Sequence, residues 1–195
     1  MSRTLRLGAL AVVSAAALGV AGCGGEDRQD EDEPSGTFQV DVDASFPTRQ
    51  ALARGEELEI AVRNTGGQPV PNVAVTVNGF ERRSSQPGLS DPSQPVWIVD
   101  EGPRGGQTAY TATWALGRIE AGQRKTFRWK VTPVRAGTHR IDWKVAAGLD
   151  GKAKAAGAGG RAPSGAFTVQ VADDPPQSRV DPDTGRVLRG DSAEG

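Results

Sequence analysis

Hydrophobic and polar residues alternate along short stretches of the chain between residues 37 and 172. The segment TFQVDVDASF (37–46) places an apolar side chain at every second position from Phe38 onward. A period of two is typical of a β-strand with one buried and one solvated face, so the pattern predicts about eight short strands. Further alternating or apolar segments are ELEIAVRN (57–64), NVAVTV (72–77), VWIV (96–99), YTATWAL (110–116), TFRWKV (126–131), THRIDWKVA (138–146) and AFTVQV (166–171).

Turn-forming residues separate most of these segments, and no amphipathic helical pattern follows residue 22. Many short strands divided by glycine, proline and asparagine favour an all-β sandwich or barrel. The 26 glycines and 13 prolines stay below the fraction that marks a low-complexity chain. We therefore expect one all-β domain of seven to eight strands over 37–172. The alternation ends after it, which predicts a disordered tail over 173–195.

The N-terminal residues follow a different pattern. Two arginines precede an apolar run from Leu7 to Val20, and small residues follow the run. This is the architecture of a secretory signal, and the run is shorter than the roughly 20 apolar residues of a membrane span. The sequence Val20-Ala21-Gly22-Cys23 then resembles the lipobox of bacterial lipoproteins.

The lipobox resemblance implies that residues 1–22 are a signal peptide and that Cys23 carries a diacylglycerol thioether. The membrane would then be a partner of the mature chain, because two or more acyl chains give stable attachment. The implied location is extracytoplasmic, on the cell membrane or, in a host with two membranes, on the outer one. An ordinary signal peptide followed by an unpaired cysteine is the alternative.

An acidic segment, GGEDRQDEDEPSG (24–36), comes next, with six acids, one arginine and no apolar residue. Such a block is typically solvated, so we expect 23–36 to be a lipidated, disordered tether. Removal of residues 1–22 takes away two arginines and moves the formal net charge from −1 to −3. This acidic balance, without a basic stripe interleaved with aromatic residues, argues against nucleic-acid binding.

Candidate catalytic and metal-binding residues are sparse. His139 is the only histidine, and its place at the start of a strand predicts a rim residue without convergent partners. Asp41 and Asp43 lie on the polar, solvent-facing side of the first strand. This position favours a solvated sheet edge over a glycosidase carboxylate pair. DPDTG (181–185) lacks the glycine and glutamate of a calcium loop and predicts a turn. We therefore expect no catalytic residue, no metal and no cofactor.

Two stretches resemble a known family. IAVRNTGGQPVPNVAVTVNGF (60–80) has Asn-x-Gly, a loop with prolines and then a valine-rich strand, and TWALGRIEAGQRKTFRWKV (113–131) has Trp-x-Leu-Gly followed by a glycine turn. Both are similar to the Ig-like modules of bacterial surface proteins, namely the conserved-repeat domain of unknown function and the cell-adhesion-related domain. Ile119 and Ala121 depart from the usual Leu and Pro. The resemblance implies one Ig-like β-sandwich.

An Ig-like sandwich makes a specific prediction about topology. The strands joined by TPVRAG (132–137) would belong to opposite sheets, whereas a simple meander would pair them as a hairpin. Trp129 and Trp143 would then face each other across the core. We interpret Trp114, Trp129 and Trp143 as core residues rather than a carbohydrate-stacking platform, because each lies on the same side of its strand as neighbouring aliphatic residues.

Two loops exceed the usual connection length and are candidates for partner binding. GLDGKAKAAGAGGRAPSG (148–165) is rich in glycine and alanine, so ordering it would cost entropy with little apolar gain. The segment 81–107 holds Arg82, Arg83 and, between prolines, Trp97, which we expect to be partly exposed. These three residues are the predicted partner-binding residues.

The expected function is non-catalytic and concerns binding, adhesion or envelope organisation. An envelope protein or polysaccharide would be the partner. One alternative is an accessory or ligand-binding lipoprotein of a transporter or envelope enzyme. Another is a small hydrolase, because a fold by itself does not set a function.

Overall fold

A computed structural model of the chain describes residues 32–80, 95–174 and 178–189, and it is built from β-strands. No helix in these ranges is long and apolar enough to cross a membrane. The strands are β1 (Gly36–Ser45), β2 (Arg49–Ala51), β3 (Glu56–Asn64), β4 (Ala74–Asn78), β5 (Trp97–Glu101), β6 (Thr113–Ala115), β7 (Arg124–Pro133), β8 (Gly137–Ala146), β9 (Ala153–Ala156), β10 (Ser164–Ala172), β11 (Ser178–Val180) and β12 (Val187–Arg189).

Two five-stranded sheets form an Ig-like β-sandwich, which confirms the predicted fold class, although the sheets contain ten strands rather than the predicted seven to eight. The first sheet has the order β5-β7-β3-β1-β9, and the second has the order β2-β10-β8-β4-β6. The apolar side chains of the strands point inward, between the two sheets. Burying one such aliphatic or aromatic side chain contributes roughly 1.5–3 kcal/mol. The fully or nearly fully buried core residues include Val40, Leu58, Ile60, Val62, Val75, Phe127, Trp129, Ile141, Val145 and Val169.

The strands on either side of TPVRAG lie in opposite sheets, as predicted. β7 pairs with β3 and β5, whereas β8 pairs with β4 and β10. The predicted facing of Trp129 and Trp143 is not observed as a ring contact. Trp129 contacts the rings of Phe80, Trp114 and Phe127. Trp143 instead lies over Gly165, where a Cβ would come within 2.6 Å of the indole.

The three tryptophans interpreted as core residues do belong to the core. Trp129 is fully buried, and Trp114 and Trp143 are half-buried and pack against the same apolar cluster.

The segment 148–165, predicted as a long loop rich in glycine and alanine, contains the strand β9. β9 runs parallel to β1, with Gly36 opposite Ala153 and Gln39 opposite Ala156. Ala153, Ala155 and Ala156 are buried. Alanine is a weak strand signal, so the sequence did not reveal a strand whose small side chains fit beside β1.

The acidic segment is not free along its whole length, which corrects the prediction of a disordered tether over 23–36. The carboxylate of Glu33 accepts hydrogen bonds from the backbone N–H groups of Leu149, Asp150 (2.9 Å) and Ala153 (2.7 Å). A Cβ at Gly148 would overlap this carboxylate. We call this set of contacts the Glu33 clip. It fastens the end of the acidic segment to the loop before β9.

The tail also contains regular structure. β11 and β12 pair as an antiparallel hairpin, with Val180 opposite Val187. In the DPDTG turn between them, Oδ1 of Asp181 accepts from the N–H groups of Asp183 (2.9 Å) and Thr184 (3.3 Å). The predicted absence of structure over 173–195 is therefore wrong for 178–189, whereas the predicted turn is confirmed.

The strand registers define two ends of the sandwich. β1 is antiparallel to β3, and β3 is antiparallel to β7, so β1 and β7 run in the same direction. The entry pole is the end at which β1 begins at Gly36. The far pole is the end at which β7 finishes at Pro133 and β8 begins at Gly137. The Glu33 clip lies at the entry pole, because β9 runs parallel to β1.

Candidate functional site

Trp97 is buried, so the expectation that it is a partly exposed contact residue is wrong. Only 1% of its surface is exposed. Its Nε1 donates a hydrogen bond of 2.7 Å to Oε1 of Gln50, whose Nε2 donates to the carbonyl of Pro47 at 2.9 Å. The rings of Phe46 and Phe80 pack against the indole. A buried amide satisfies the indole N–H, so the whole side chain is buried without an unpaired polar atom.

The other predicted partner-binding and anchoring residues are not tested by the structure. Arg82 and Arg83 lie outside the described residues, as do Cys23 and the lipobox. They stay predictions. The described residues Phe80 and Trp97, on either side of the stretch with the arginines, pack against each other with ring centroids 6.5 Å apart.

His139 is a rim residue, as predicted. Its Nε2 lies 3.0 Å from the carbonyl oxygen of Arg135 and 3.1 Å from that of Ala136, and its ring meets Trp97 edge to face. Within the described ranges, no group of three or more His, Cys, Asp or Glu side chains is placed to hold a metal ion. Asp41 and Asp43 are exposed, on the part of β1 that extends beyond its pairing with β9.

Asn64, part of the motif resemblance, has a structural role. It is fully buried, and its Nδ2 donates to the carbonyls of Gln68 (2.8 Å) and Ile119 (3.0 Å). Its Oδ1 accepts from the N–H of Gly66 at 3.0 Å. One amide thus joins the two stretches that carry the resemblance. The motif therefore explains the fold rather than a binding site.

A groove of about 350 Å³ lies on the solvent side of the first sheet. Arg128 and Lys130 reach it because they alternate along β7 with the buried residues Phe127, Trp129 and Val131. We call it the outer-face groove. It is lined by Glu57, Glu101, Gly102, Pro103, Arg104, Leu116, Thr126, Arg128 and Lys130.

The wall of the outer-face groove is the segment that follows β5. A β-bulge between Val99 and Glu101 shifts the register against β7, and bulges of this kind re-aim side chains. Gly102 then lies against the indole of Trp114, where a Cβ would come within 3.1 Å of Nε1. The N–H of Gly106 donates to the carbonyl of Pro103 at 3.0 Å. These close contacts pack the wall against the indole of Trp114.

Ion pairs orient the charged side chains of the groove. Glu101 accepts from Nζ of Lys130 at 2.9 Å and from Nε of Arg104 at 3.1 Å. These hydrogen bonds lower the pKa of Glu101, and the bond to Glu101 raises the pKa of Lys130. Nε of Arg128 donates to Glu59 at 2.9 Å and lies 3.7 Å from Glu57. The charged side chains at the groove are therefore paired with one another at the surface of the sheet.

The sequence did not reveal the outer-face groove. Its charged residues come from β3, β5 and β7 and from the segment after β5. Those in the strands occupy ordinary polar positions, and Arg104 lies in a connecting segment. The predicted segment 81–107 does supply part of it, since Glu101 and Arg104 lie there. Residue alternation indicates which side chains face solvent, but only strand order places Glu57 beside Arg128.

Comparison with known proteins gives likeness of fold. No family model and no curated protein matches the chain. The CARDB domain of a Pyrococcus furiosus protein, solved in complex with di-metal ions, is 20% identical, covers 69% of this chain and 94% of that chain, and has a TM-score of 0.43. CARDB is the cell-adhesion-related domain that the motifs resemble.

Two bacterial macroglobulins are also similar. Native alpha-2-macroglobulin from Escherichia coli, from domain MG7 to the C-terminus, is 13% identical over 76% of this chain and 21% of that chain, with a TM-score of 0.44. Salmonella alpha-2-macroglobulin reacted with methylamine is 19% identical over 72% of this chain and 7% of that chain, with a TM-score of 0.39. At such identities the likeness concerns the fold alone.

Proposed function

We propose that the chain is an extracytoplasmic lipoprotein, anchored through a diacylglycerol group on Cys23, whose Ig-like domain binds an envelope component without catalysing a reaction. The observation that carries the binding function is the outer-face groove, in which ion-paired donors and acceptors are grouped on one face of a sheet. Sites built on strands hold their side chains more accurately than sites on free loops.

The Glu33 clip supports an arrangement in which the domain stands close to the membrane. It leaves residues 24–32 between the proposed anchor and the domain. Nine residues span at most about 30 Å when fully extended. The clip lies at the entry pole, so the far pole and the side faces of the sandwich would point toward envelope components.

The anchoring part of the proposal is tested with Cys23→Ala. This change removes the thiolate that would receive the lipid, so we expect the protein to leave the membrane fraction or to accumulate as an uncleaved precursor. Fractionation of cells followed by intact-mass measurement would detect either result. Ser14→Ala, within the apolar run, is the matched control and should be processed as the wild type. Normal processing and membrane retention of the cysteine variant would rule out the lipid anchor.

The non-catalytic part is supported by the placement of the only histidine, which contacts two backbone carbonyls rather than a nucleophile. Crosslinking in intact cells, with identification of the neighbours, would separate an envelope-binding protein from an accessory subunit of a transporter or enzyme. Turnover in a broad panel of hydrolase substrates would contradict the proposal.

A further inference from the structure

We infer that the outer-face groove binds an acidic sugar unit of a carbohydrate chain, with its carboxylate held between Arg104 and Arg128. This inference rests on the proposed binding function and names the site and the ligand class. The cations that line the groove are Arg104, Arg128 and Lys130, against the two carboxylates of Glu57 and Glu101. The lining thus carries one net positive charge in a chain whose formal net charge is −1.

The guanidinium groups of Arg104 and Arg128 have exposed donors that could bind a carboxylate. Each hydrogen bond that Arg104 and Arg128 make among the described residues uses Nε. Among residues 32–80, 95–174 and 178–189, no hydrogen bond engages the terminal Nη groups of these two arginines, and those groups offer donors for a ligand. Their side chains are 90% and 57% exposed, so a ligand can reach them. A planar guanidinium fork matches two oxygens of a carboxylate, and the ion pair at Nε limits the freedom lost on binding.

The remaining lining favours a sugar over a peptide. The carboxylates of Glu57 and Glu101 and the hydroxyl of Thr126 are acceptors for sugar hydroxyl groups, and Leu116 and Pro103 offer a small apolar surface for its C–H groups. Peptide recognition on a sheet commonly needs a free strand edge or deep side-chain pockets. The groove lies on the face of the sheet. Its volume is near the lower end of the range for small-molecule sites, about 300–1,000 Å³, and suits one unit of a chain.

The position of the groove disfavours a lipid headgroup as the ligand. It lies along the middle of β7, around Arg128 and Lys130, between the entry pole and the far pole. The Glu33 clip is at the entry pole, so an anchored domain would direct that end toward the bilayer. The groove then faces sideways, where envelope polymers would be reached.

The test measures binding of defined probes to the full chain by calorimetry. The probes are a pentamer of galacturonic acid, a neutral glucose pentamer, pentaglutamate and vesicles containing phosphatidylglycerol. We expect the uronic acid pentamer to bind at least tenfold more tightly than the other probes. Its affinity should fall as salt rises, because exposed charges are screened.

Variants then locate the site. Arg104→Gln and Arg128→Gln should each weaken uronate binding about tenfold, as expected for loss of a charge-assisted hydrogen bond. Arg118→Gln is the matched control, because Arg118 is an exposed arginine outside the groove whose Nε also pairs with a carboxylate, that of Glu120. It should leave binding unchanged. Urea unfolding of each variant confirms that the fold is kept.

Several results would overturn the inference. These are no binding of the uronic acid pentamer, equal or tighter binding of pentaglutamate or vesicles, and wild-type affinity in an Arg104→Gln/Arg128→Gln double variant. Failure here is distinct from failure of the proposed function. If the protein stays membrane-anchored and crosslinks to envelope neighbours but does not bind uronate, the proposed function stands and only this ligand assignment is wrong.

Discussion

At the residue scale, buried polar side chains are satisfied by partners from distant parts of the chain. Gln50 and Asn64 are the buried polar residues of the described core. Gln50 accepts from Trp97, and Asn64 bonds across to Ile119. Nε1 of Trp129 is the exception, since it has no hydrogen-bond partner within the described ranges. An unpaired buried donor costs about 1–3 kcal/mol, so each of these pairs matters for stability.

Replacement of Gln50 tests the buried indole pair. Gln50→Leu introduces an apolar side chain of similar size but leaves the N–H of Trp97 unpaired, so we expect a loss of about 1–3 kcal/mol in the free energy of unfolding. Urea denaturation measures the loss. Gln170→Leu, at an exposed position of β10, is the control and should change stability by less than about 0.5 kcal/mol. Equal stabilities for both variants would show that the hydrogen bond contributes nothing.

At the element scale, short segments complete the edges of the sandwich. β9 extends the first sheet beside the start of β1, and the N–H of Gly36 donates to the carbonyl of Lys152 at 3.2 Å. The Glu33 clip holds the loop that leads into β9. A carboxylate that accepts several backbone N–H bonds is a strong local fastener, because charge-assisted bonds are stronger than neutral ones.

Replacement of Glu33 tests the clip. Glu33→Ala removes the acceptor for three backbone N–H groups, so we expect a loss of about 2 kcal/mol in local stability. Hydrogen exchange should become faster at the amides of Leu149, Asp150 and Ala153 and stay unchanged in β7. Glu120→Ala, which removes an exposed acid elsewhere, is the control. Unchanged protection of the three amides would mean that the clip is not formed in solution.

At the scale of the whole molecule, we expect ion pairs and backbone hydrogen bonds at surface carboxylates to make stability depend on pH. Partners lower the pKa of Glu101, Asp150 and Asp181. The main partners of Glu101 are Lys130 and Arg104. The main partner of Asp150 is Lys152, and that of Asp181 is the backbone N–H of Asp183. The folded state therefore releases these protons more readily than the unfolded state. Glu56 acts in the opposite direction, because burial raises its pKa.

The sign of the pH effect follows from these shifts. Where pKa values are lowered in the folded state, the unfolded state binds more protons, so stability rises with pH. We expect the contribution of the three carboxylates to be complete above their ordinary pKa, near pH 4. It should be lost as the pH falls through the lower, folded-state pKa values.

Urea midpoints measured between pH 7 and pH 2.5 would detect this loss. Glu101→Gln should flatten the acid limb of the profile, because it removes a carboxylate whose pKa is lowered in the folded state. An identical acid limb in Glu101→Gln and the wild type would exclude a contribution from the Glu101 pairs.

Features that depend on local pattern could be predicted from the amino-acid residues alone. Alternation placed Phe38, Leu58, Val75 and Phe127 in the core, and the motifs around Asn64 indicated an Ig-like sandwich, because side-chain direction in a strand follows from the residue's own position. The assignment of β7 and β8 to opposite sheets also followed from that topology. The N-terminal prediction of a lipid on Cys23 likewise uses local sequence and stays a prediction.

Which distant residues come into contact depends on how the two sheets pack and on the order of their strands. Trp97 is buried because Gln50, 47 positions earlier in the chain, accepts its N–H. Glu33 is held because a loop more than 110 positions later presents three N–H groups to it. β9 forms because β1 offers a free edge to small alanines, and the outer-face groove forms because strand order brings β3, β5 and β7 together. Such pairings depend on long-range packing, which no local period of polar and apolar residues records.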